Sequence, residues 1–153
     1  MQTKNEDIQT DNKWMRRGGT FALFIYLLTL FYTTLFIYNY YPYGKSVNLV
    51  LFDSIKLMWE SGSYWLIIKN IIGNVLLFMP LGFLVPLVHR KCRSVIVITL
   101  IGLLISTSIE LLQYLAAQRI FDIDDILLNG FGAVVGYGVY KICFFFYKKL
   151  KRK

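Results

Sequence analysis

Residues 95–116 have the sequence VIVITLIGLLISTSIELLQYLA, in which Glu110 is the only charged residue. About 20 consecutive apolar residues are enough for an α-helix to cross the hydrocarbon core of a membrane. The stretch therefore predicts a membrane-spanning helix. A carboxylate inside such a helix is costly in free energy and usually marks a pathway or a functional site. Glu110 is thus the first candidate functional residue.

An acidic segment follows this predicted helix. Its charged and polar members include Arg119, Asp122, Asp124, Asp125 and Asn129. The whole chain of 153 residues has only 9 Asp and Glu residues, so their concentration between positions 110 and 125 stands out. Much of the negative charge of the chain therefore lies near one end of the predicted helix at 95–116.

The overall composition predicts a membrane protein. Hydrophobic residues make up 56% of the chain and aromatic residues 17%, and the mean hydropathy is +0.52. A soluble domain of this size needs more polar surface. The net charge of +8 comes from cations gathered at the ends and in one loop. That distribution indicates membrane topology and contact with lipid headgroups, and it argues against nucleic-acid binding.

Three further apolar stretches complete the predicted fold. We predict an all-α integral membrane bundle of four transmembrane helices, spanning about residues 20–39, 65–88, 95–116 and 126–147. They form one membrane domain at 20–147, between a flexible polar tail at 1–19 and a basic tail at 148–153. Pro80 and Pro86 should kink the second helix.

The connection between the first two spans has an amphipathic pattern. Val47, Leu51, Ile55, Met58 and Trp59 recur at helical spacing, with charged residues between them. This pattern predicts a short helix that lies in the membrane interface.

The basic segments determine the predicted topology. Arg16–Arg17, Arg90–Arg93 and Lys148–Lys153 all fall on one side of the membrane if there are four spans. The positive-inside rule assigns that side to the cytoplasm. We therefore expect a multi-pass protein of the cell membrane with both termini in the cytoplasm. Cys92 then faces a reducing compartment, so no structural disulfide is expected.

Topology and helical spacing bring eight polar residues to the outer ends of the helices. Glu110 should lie about 9 Å below the end of its helix. A carboxylate at that depth should be paired or protonated, and Arg119 and Lys69 are the candidate partners. The predicted binding site consists of Asn70, Asn74, Glu110, Gln113, Arg119, Asp122, Asp125 and Asn129.

Simpler structural roles compete with a site. Asn74 and Gln113 have the side-chain types that join membrane helices by hydrogen bonds. Asp125 could cap the fourth helix, and Asp124 with Arg119 could form a solvated surface pair. Carboxylate oxygens suit Mg²⁺ or Ca²⁺, but the spacing matches no defined metal-binding loop. We expect no metal ion and no cofactor.

Four segments together resemble the VanZ-like family. They are VNL at 47–49, GNVLLFMPLGF at 73–83, SIELLQ at 108–113, and the segment 119–132. The resemblance implies a small integral membrane protein of the cell envelope, in a family whose best-known members are associated with teicoplanin resistance in Gram-positive bacteria. Leu51 departs from the family pattern, because many relatives have proline there. The pattern falls on Asn74, Pro80, Gly82, Glu110, Gln113, Arg119, Asp122, Asp125, Asn129 and Gly132.

This resemblance leads to a functional prediction. We expect a protein that lowers susceptibility to teicoplanin-type lipoglycopeptides by binding a lipid, a lipid-linked wall precursor or the drug at the outer membrane face. Arg119 would meet an anionic group and the amides would donate hydrogen bonds. Two alternatives stay open. One is an enzyme that modifies a lipid or wall precursor at the same place, which needs a carboxylate pair or a metal ion for its chemistry. The other is a structural partner of another membrane protein, which it contacts through Gly132 and Gly136.

Overall fold

The computed structural model describes residues 2–37, 46–116 and 119–151. Its backbone is mostly helical, with one short pair of strands. In chain order the elements are α1 (Gln2–Tyr32), a π-helical turn (Thr33–Ile37), β1 (Val47–Asn48), α2 (Asp53–Glu60), α3 (Tyr64–Ile67), a second π-helical turn (Ile68–Ile72), α4 (Gly73–Val88), a 3₁₀ turn (Arg90–Cys92), α5 (Val95–Ala116), β2 (Phe121–Asp122) and α6 (Ile123–Lys151).

Four helical stretches of the described chain are long and apolar enough to cross a membrane. They cover Lys13–Phe36, Tyr64–Val88, Val95–Ala116 and Ile123–Lys151. The prediction of four spans is confirmed at this level. The second stretch is composite, because α3, the second π-helical turn and α4 follow one another without a break. Pro80 and Pro86 lie inside α4.

The first and last helices extend beyond their predicted limits. α1 begins at Gln2, so most of the stretch that we expected to form a flexible tail is helical. Its Gln, Lys, Glu and Met residues are good helix formers, and the helix continues through Gly18 and Gly19. α6 begins at Ile123 and ends at Lys151, with acidic residues in its first turn and lysines in its last turn. Negative charges at the N-terminus and positive charges at the C-terminus of a helix interact favourably with the helix dipole, so both ends are stabilised.

The contact between α4 and α6 depends on glycines that allow their backbones to approach closely. A Cβ atom added at Gly132 would collide with the backbone of Val75, and one at Gly136 with the backbone of Met79. Gly82 of α4 faces the backbone of Ala133 in the same way. From the sequence, Gly132 and Gly136 are a candidate surface for another protein. In the structure, α4 of the same chain occupies that surface.

The strand pair was not predicted from the sequence. β1 and β2 are parallel, with Val47 paired to Phe121 and Asn48 paired to Asp122. The predicted amphipathic helix is therefore shorter than expected, because Val47 is in a strand and α2 begins only at Asp53. The pair joins the connection after the first span to the acidic segment before α6.

Candidate functional site

Seven of the eight predicted site residues line one cavity. This helix cavity, of about 200 Å³, lies where α4 begins, α5 ends and α6 begins. The predicted residues that line it are Asn70, Asn74, Glu110, Gln113, Arg119, Asp125 and Asn129. Thr34, from the end of the first span, and Lys69 also contribute to its wall.

The eighth predicted residue, Asp122, lines a neighbouring cavity. This loop cavity, of about 470 Å³, is bounded by β1, α2 and the acidic segment. Arg119 and Asp125 line both cavities. The two cavities therefore share a wall that carries one positive and one negative side chain.

Asn74 and Asp125 connect α4 to α6 at the helix cavity. The Asn74 Nδ2 atom donates a hydrogen bond of 2.6 Å to Asp125 Oδ1. A bond to an ionised acceptor is stronger than one between neutral groups. Asp125 lies in the first turn of α6, but this contact with another helix gives it more than a capping role.

Glu110 is buried, with 5% of its surface exposed. Its Oε2 accepts a hydrogen bond of 3.3 Å from the backbone N–H of Asp122. Within the described ranges Glu110 forms no ion pair with Arg119, one of the partners expected from the sequence. Arg119 nevertheless lines the same cavity, where its positive charge acts on both Glu110 and Asp125.

Gln113 joins the third span to the end of the first. Its side chain is buried, and Nε2 donates a hydrogen bond of 2.8 Å to the backbone oxygen of Thr34. This contact agrees with the role in helix packing that we considered for Gln113. Asn70, in contrast, donates to Leu66 of its own helix at 3.0 Å.

Asn129 has one satisfied and one unsatisfied polar atom. Its Nδ2 donates a hydrogen bond of 2.8 Å to Ser106 Oγ on α5. Its Oδ1 is buried and has no hydrogen-bond partner among the described residues. Buried polar atoms are nearly always paired in folded proteins, so an exception calls for an explanation.

Asp124 has a role that the sequence did not reveal. It is only 1% exposed, which rules out the solvated pair with Arg119 that we considered. Its carboxylate accepts hydrogen bonds from the backbone N–H groups of Phe52 (2.6 Å), Ser54 (3.1 Å) and Ile55 (3.4 Å). Asp124 thus caps the beginning of α2 from a different part of the chain. No local spacing rule could have detected this contact.

Ser54 and Asn48 extend the polar network around the acidic segment. Ser54 Oγ donates a hydrogen bond to Asp122 Oδ2, and Asn48 Nδ2 donates to Ser54 Oγ at 2.9 Å. Asp122 Oδ1 accepts a further bond of 2.9 Å from the backbone N–H of Asp124. The site predicted from the sequence includes neither Ser54 nor Asn48. Asn48 does belong to the segment VNL at 47–49, one of the four that resemble the family.

The carboxylates of this region do not form a cluster of metal ligands. In the part of the chain that the structure describes, no group of three or more His, Cys, Asp or Glu side chains could hold a metal ion. Within the described residues, these carboxylates accept hydrogen bonds from backbone N–H groups, from Ser54 and from Asn74. The region is chemically a polar pocket at one end of an apolar bundle.

Comparison with known proteins supports a membrane protein. A family model described as VanZ/LLP1 matches residues 23–145. Protein VanZ of Enterococcus faecium is 26% identical over 136 residues, which cover 84% of this chain and 74% of that protein. No solved structure matches the chain. The family match and the four apolar helices identify a multi-pass membrane protein.

Proposed function

Since the chain belongs to the VanZ/LLP1 family, we propose that it lowers the susceptibility of the cell to teicoplanin-type lipoglycopeptide antibiotics. The similarity to Protein VanZ extends over most of both chains. The family resemblance seen in the sequence connects such proteins with teicoplanin resistance in Gram-positive bacteria.

The observation that carries the proposed site is the convergence of seven predicted residues on the helix cavity. They come from three parts of the chain and surround a small polar space at one end of the bundle. Three of them, Glu110, Gln113 and Asn129, are buried, and polar or ionisable groups buried in an apolar chain are costly and usually mark a functional site. We propose that the cavity binds the polar part of a lipid, of a lipid-linked wall precursor or of the drug.

The proposed orientation places this cavity at the outer face of the membrane. The three basic segments meet at the opposite end of the bundle. Arg93 and Lys148 both lie 4.7 Å from the centre of the Phe144 ring. Gly19, which follows Arg16–Arg17 closely, lies against Leu87 and Val88 near the end of α4. Because basic segments favour the cytoplasm, both termini are cytoplasmic in this proposal, and α2 lies at the outer interface.

The proposed roles follow from the cavity wall. Arg119 is the group for an anionic part of the ligand, because its planar guanidinium suits phosphate and carboxylate. Glu110 and Asp125 orient donor groups of the ligand. The amides already donate to acceptors within the protein, as Asn74 does to Asp125 and Gln113 to Thr34, so part of their donor capacity is used for the fold.

Drug tolerance of cells that express the protein tests this proposal. Wild type should raise tolerance to teicoplanin, whereas Glu110→Gln and Arg119→Ala should each reduce that gain several-fold. Vancomycin serves as a related drug without the lipid tail. The matched control is Ser108→Ala on α5, because the exposed Ser108 hydroxyl bonds only to Leu104 of its own helix in the described structure.

All variants must be compared at equal abundance in the membrane. Unchanged tolerance in both Glu110→Gln and Arg119→Ala would show that the cavity is not the functional site. No tolerance from the wild type would refute the proposed function itself.

An enzyme that modifies a lipid or wall precursor is a second candidate. The observation in its favour is that two carboxylates, Glu110 and Asp125, line the same cavity. Expression should then change the lipid or precursor composition of the cell, and Asp125→Asn should abolish the change. Identical compositions with and without the protein would exclude this candidate.

A further inference from the structure

The unsatisfied oxygen of Asn129 indicates what kind of group enters the helix cavity. Asn129 is 5% exposed and lines the cavity, and its Oδ1 has no partner in the described structure. The other end of the same amide is fixed by its bond to Ser106. A buried acceptor of this kind is costly unless a donor reaches it. The missing partner is therefore a hydrogen-bond donor.

The two carboxylates of the cavity have unused acceptor capacity as well. A carboxylate offers about four lone-pair positions. Among the residues that the structure describes, Glu110 accepts one bond, from the backbone of Asp122, and Asp125 accepts one from Asn74. Together with Asn129 Oδ1, they make the wall rich in acceptors.

Acidic and basic side chains both line the wall. Glu110 and Asp125 are the acids, and Lys69 and Arg119 are the bases. A group with N–H or O–H donors fits this wall, with its phosphate placed near Arg119.

The size of the cavity limits the ligand further. Drug-sized ligands occupy pockets of about 300–1,000 Å³, whereas the helix cavity has about 200 Å³. A small polar headgroup fits this space and a whole glycopeptide does not. The loop cavity shares Arg119 and Asp125 with the helix cavity. It has room for the part of the ligand that is attached to the headgroup.

We infer that the helix cavity holds a small headgroup that carries ammonium or hydroxyl donors next to a phosphate, with a donor on Asn129 Oδ1. This inference rests on the cavity of the proposed function and names the chemical class of its ligand. The same chemistry occurs in membrane lipids and in free phosphorylated amines and alcohols, so the experiment includes both sources.

Thermal unfolding of the full chain in phosphatidylcholine nanodiscs tests the inference. Added phosphatidylethanolamine differs from phosphatidylcholine in having N–H donors, and phosphatidylglycerol differs from phosphatidic acid in having hydroxyls. The two donor-bearing lipids should each raise the unfolding midpoint by about 2–4 °C, as expected for about 1 kcal/mol in a chain of this size. Phosphatidic acid should have no such effect. Stabilisation by free phosphoethanolamine or glycerol 3-phosphate alone would identify a soluble source.

Two variants separate binding from folding. Ser106→Ala combined with Asn129→Leu removes both hydrogen-bonding partners, so it should fold but lose the response to donor-bearing lipids. Asn129→Asp keeps an acceptor and should keep the response. Equal stabilisation by phosphatidic acid and phosphatidylglycerol, or no response to any lipid or free headgroup, would overturn the inference.

Drug tolerance is measured separately for the same variants. Tolerance that persists without any preference for donors would refute the headgroup class and leave the proposed function intact. A clear preference for donor-bearing lipids in a protein that gives no drug tolerance would support the headgroup class and refute the proposed function.

Discussion

At the scale of single residues, the acidic segment contains side chains with different roles. Asp124 accepts three backbone hydrogen bonds from the beginning of α2, while Asp125 accepts one from Asn74 across the helix cavity. The spacing in the sequence indicated that these carboxylates gather near Glu110. It could not assign their partners, because neighbouring aspartates look alike in a sequence and point in different directions in the fold.

Asp124→Ala should destabilise the protein by about 2 kcal/mol, because it leaves three partly buried backbone N–H groups without their acceptor. Asp124→Asn should cost less, since one acceptor oxygen remains. The measurement is thermal unfolding in detergent, followed by tryptophan fluorescence. Glu60→Ala is the control. It removes an exposed pair with Lys56, worth at most about 0.5 kcal/mol. Equal stability of Asp124→Ala and wild type would show that the contact contributes nothing.

At the scale of elements, glycines allow the close packing of α4 and α6, the two helices that carry Asn74 and Asp125. α4 and α6 approach so closely that Gly132 and Gly136 touch the backbone of the partner helix. The sequence indicated Gly132 and Gly136 as a contact surface, with a partner outside the chain as one alternative. Only the packing of the helices identified α4 as the partner, and that contact holds Asn74 next to Asp125.

Gly136→Ala should destabilise the bundle by about 2 kcal/mol, because its Cβ collides with the Met79 backbone and the helices must separate. Gly138→Ala on the same helix is the matched control. A Cβ there meets nothing within 4 Å, so replacement of a helical glycine should be neutral or stabilise by about 0.5–1 kcal/mol. Unfolding midpoints of the two variants should therefore move apart, and equal midpoints would contradict the close contact.

At the scale of the whole molecule, charge is separated along the bundle. Carboxylates surround the two cavities at one end, while Arg93 and Lys148 meet on Phe144 at the other. This separation supports the proposed orientation, in which the cavities open toward the outside of the cell.

Cysteine labelling in intact cells checks that orientation. Cys92 and Cys143 are first replaced, and a single cysteine is introduced as Ser61→Cys or Lys91→Cys. A membrane-impermeant maleimide should label position 61 without lysis and position 91 only after lysis. The reverse pattern would place the cavities on the cytoplasmic side. Lysed cells provide the control that both positions are reactive.

The sequence by itself determined the four spans and the grouping of polar residues at one end of them. These features are local, since apolar length and helical spacing depend on consecutive residues. The tertiary structure alone decided which groups pair. The Asp124 contacts join residues about 70 positions apart, and the β1–β2 pair joins Asn48 to Asp122. Hydrogen bonds depend on direction and distance in space. For this reason only the fold could show that the amide of Asn129 bonds to Ser106 and that its oxygen has no partner among the described residues.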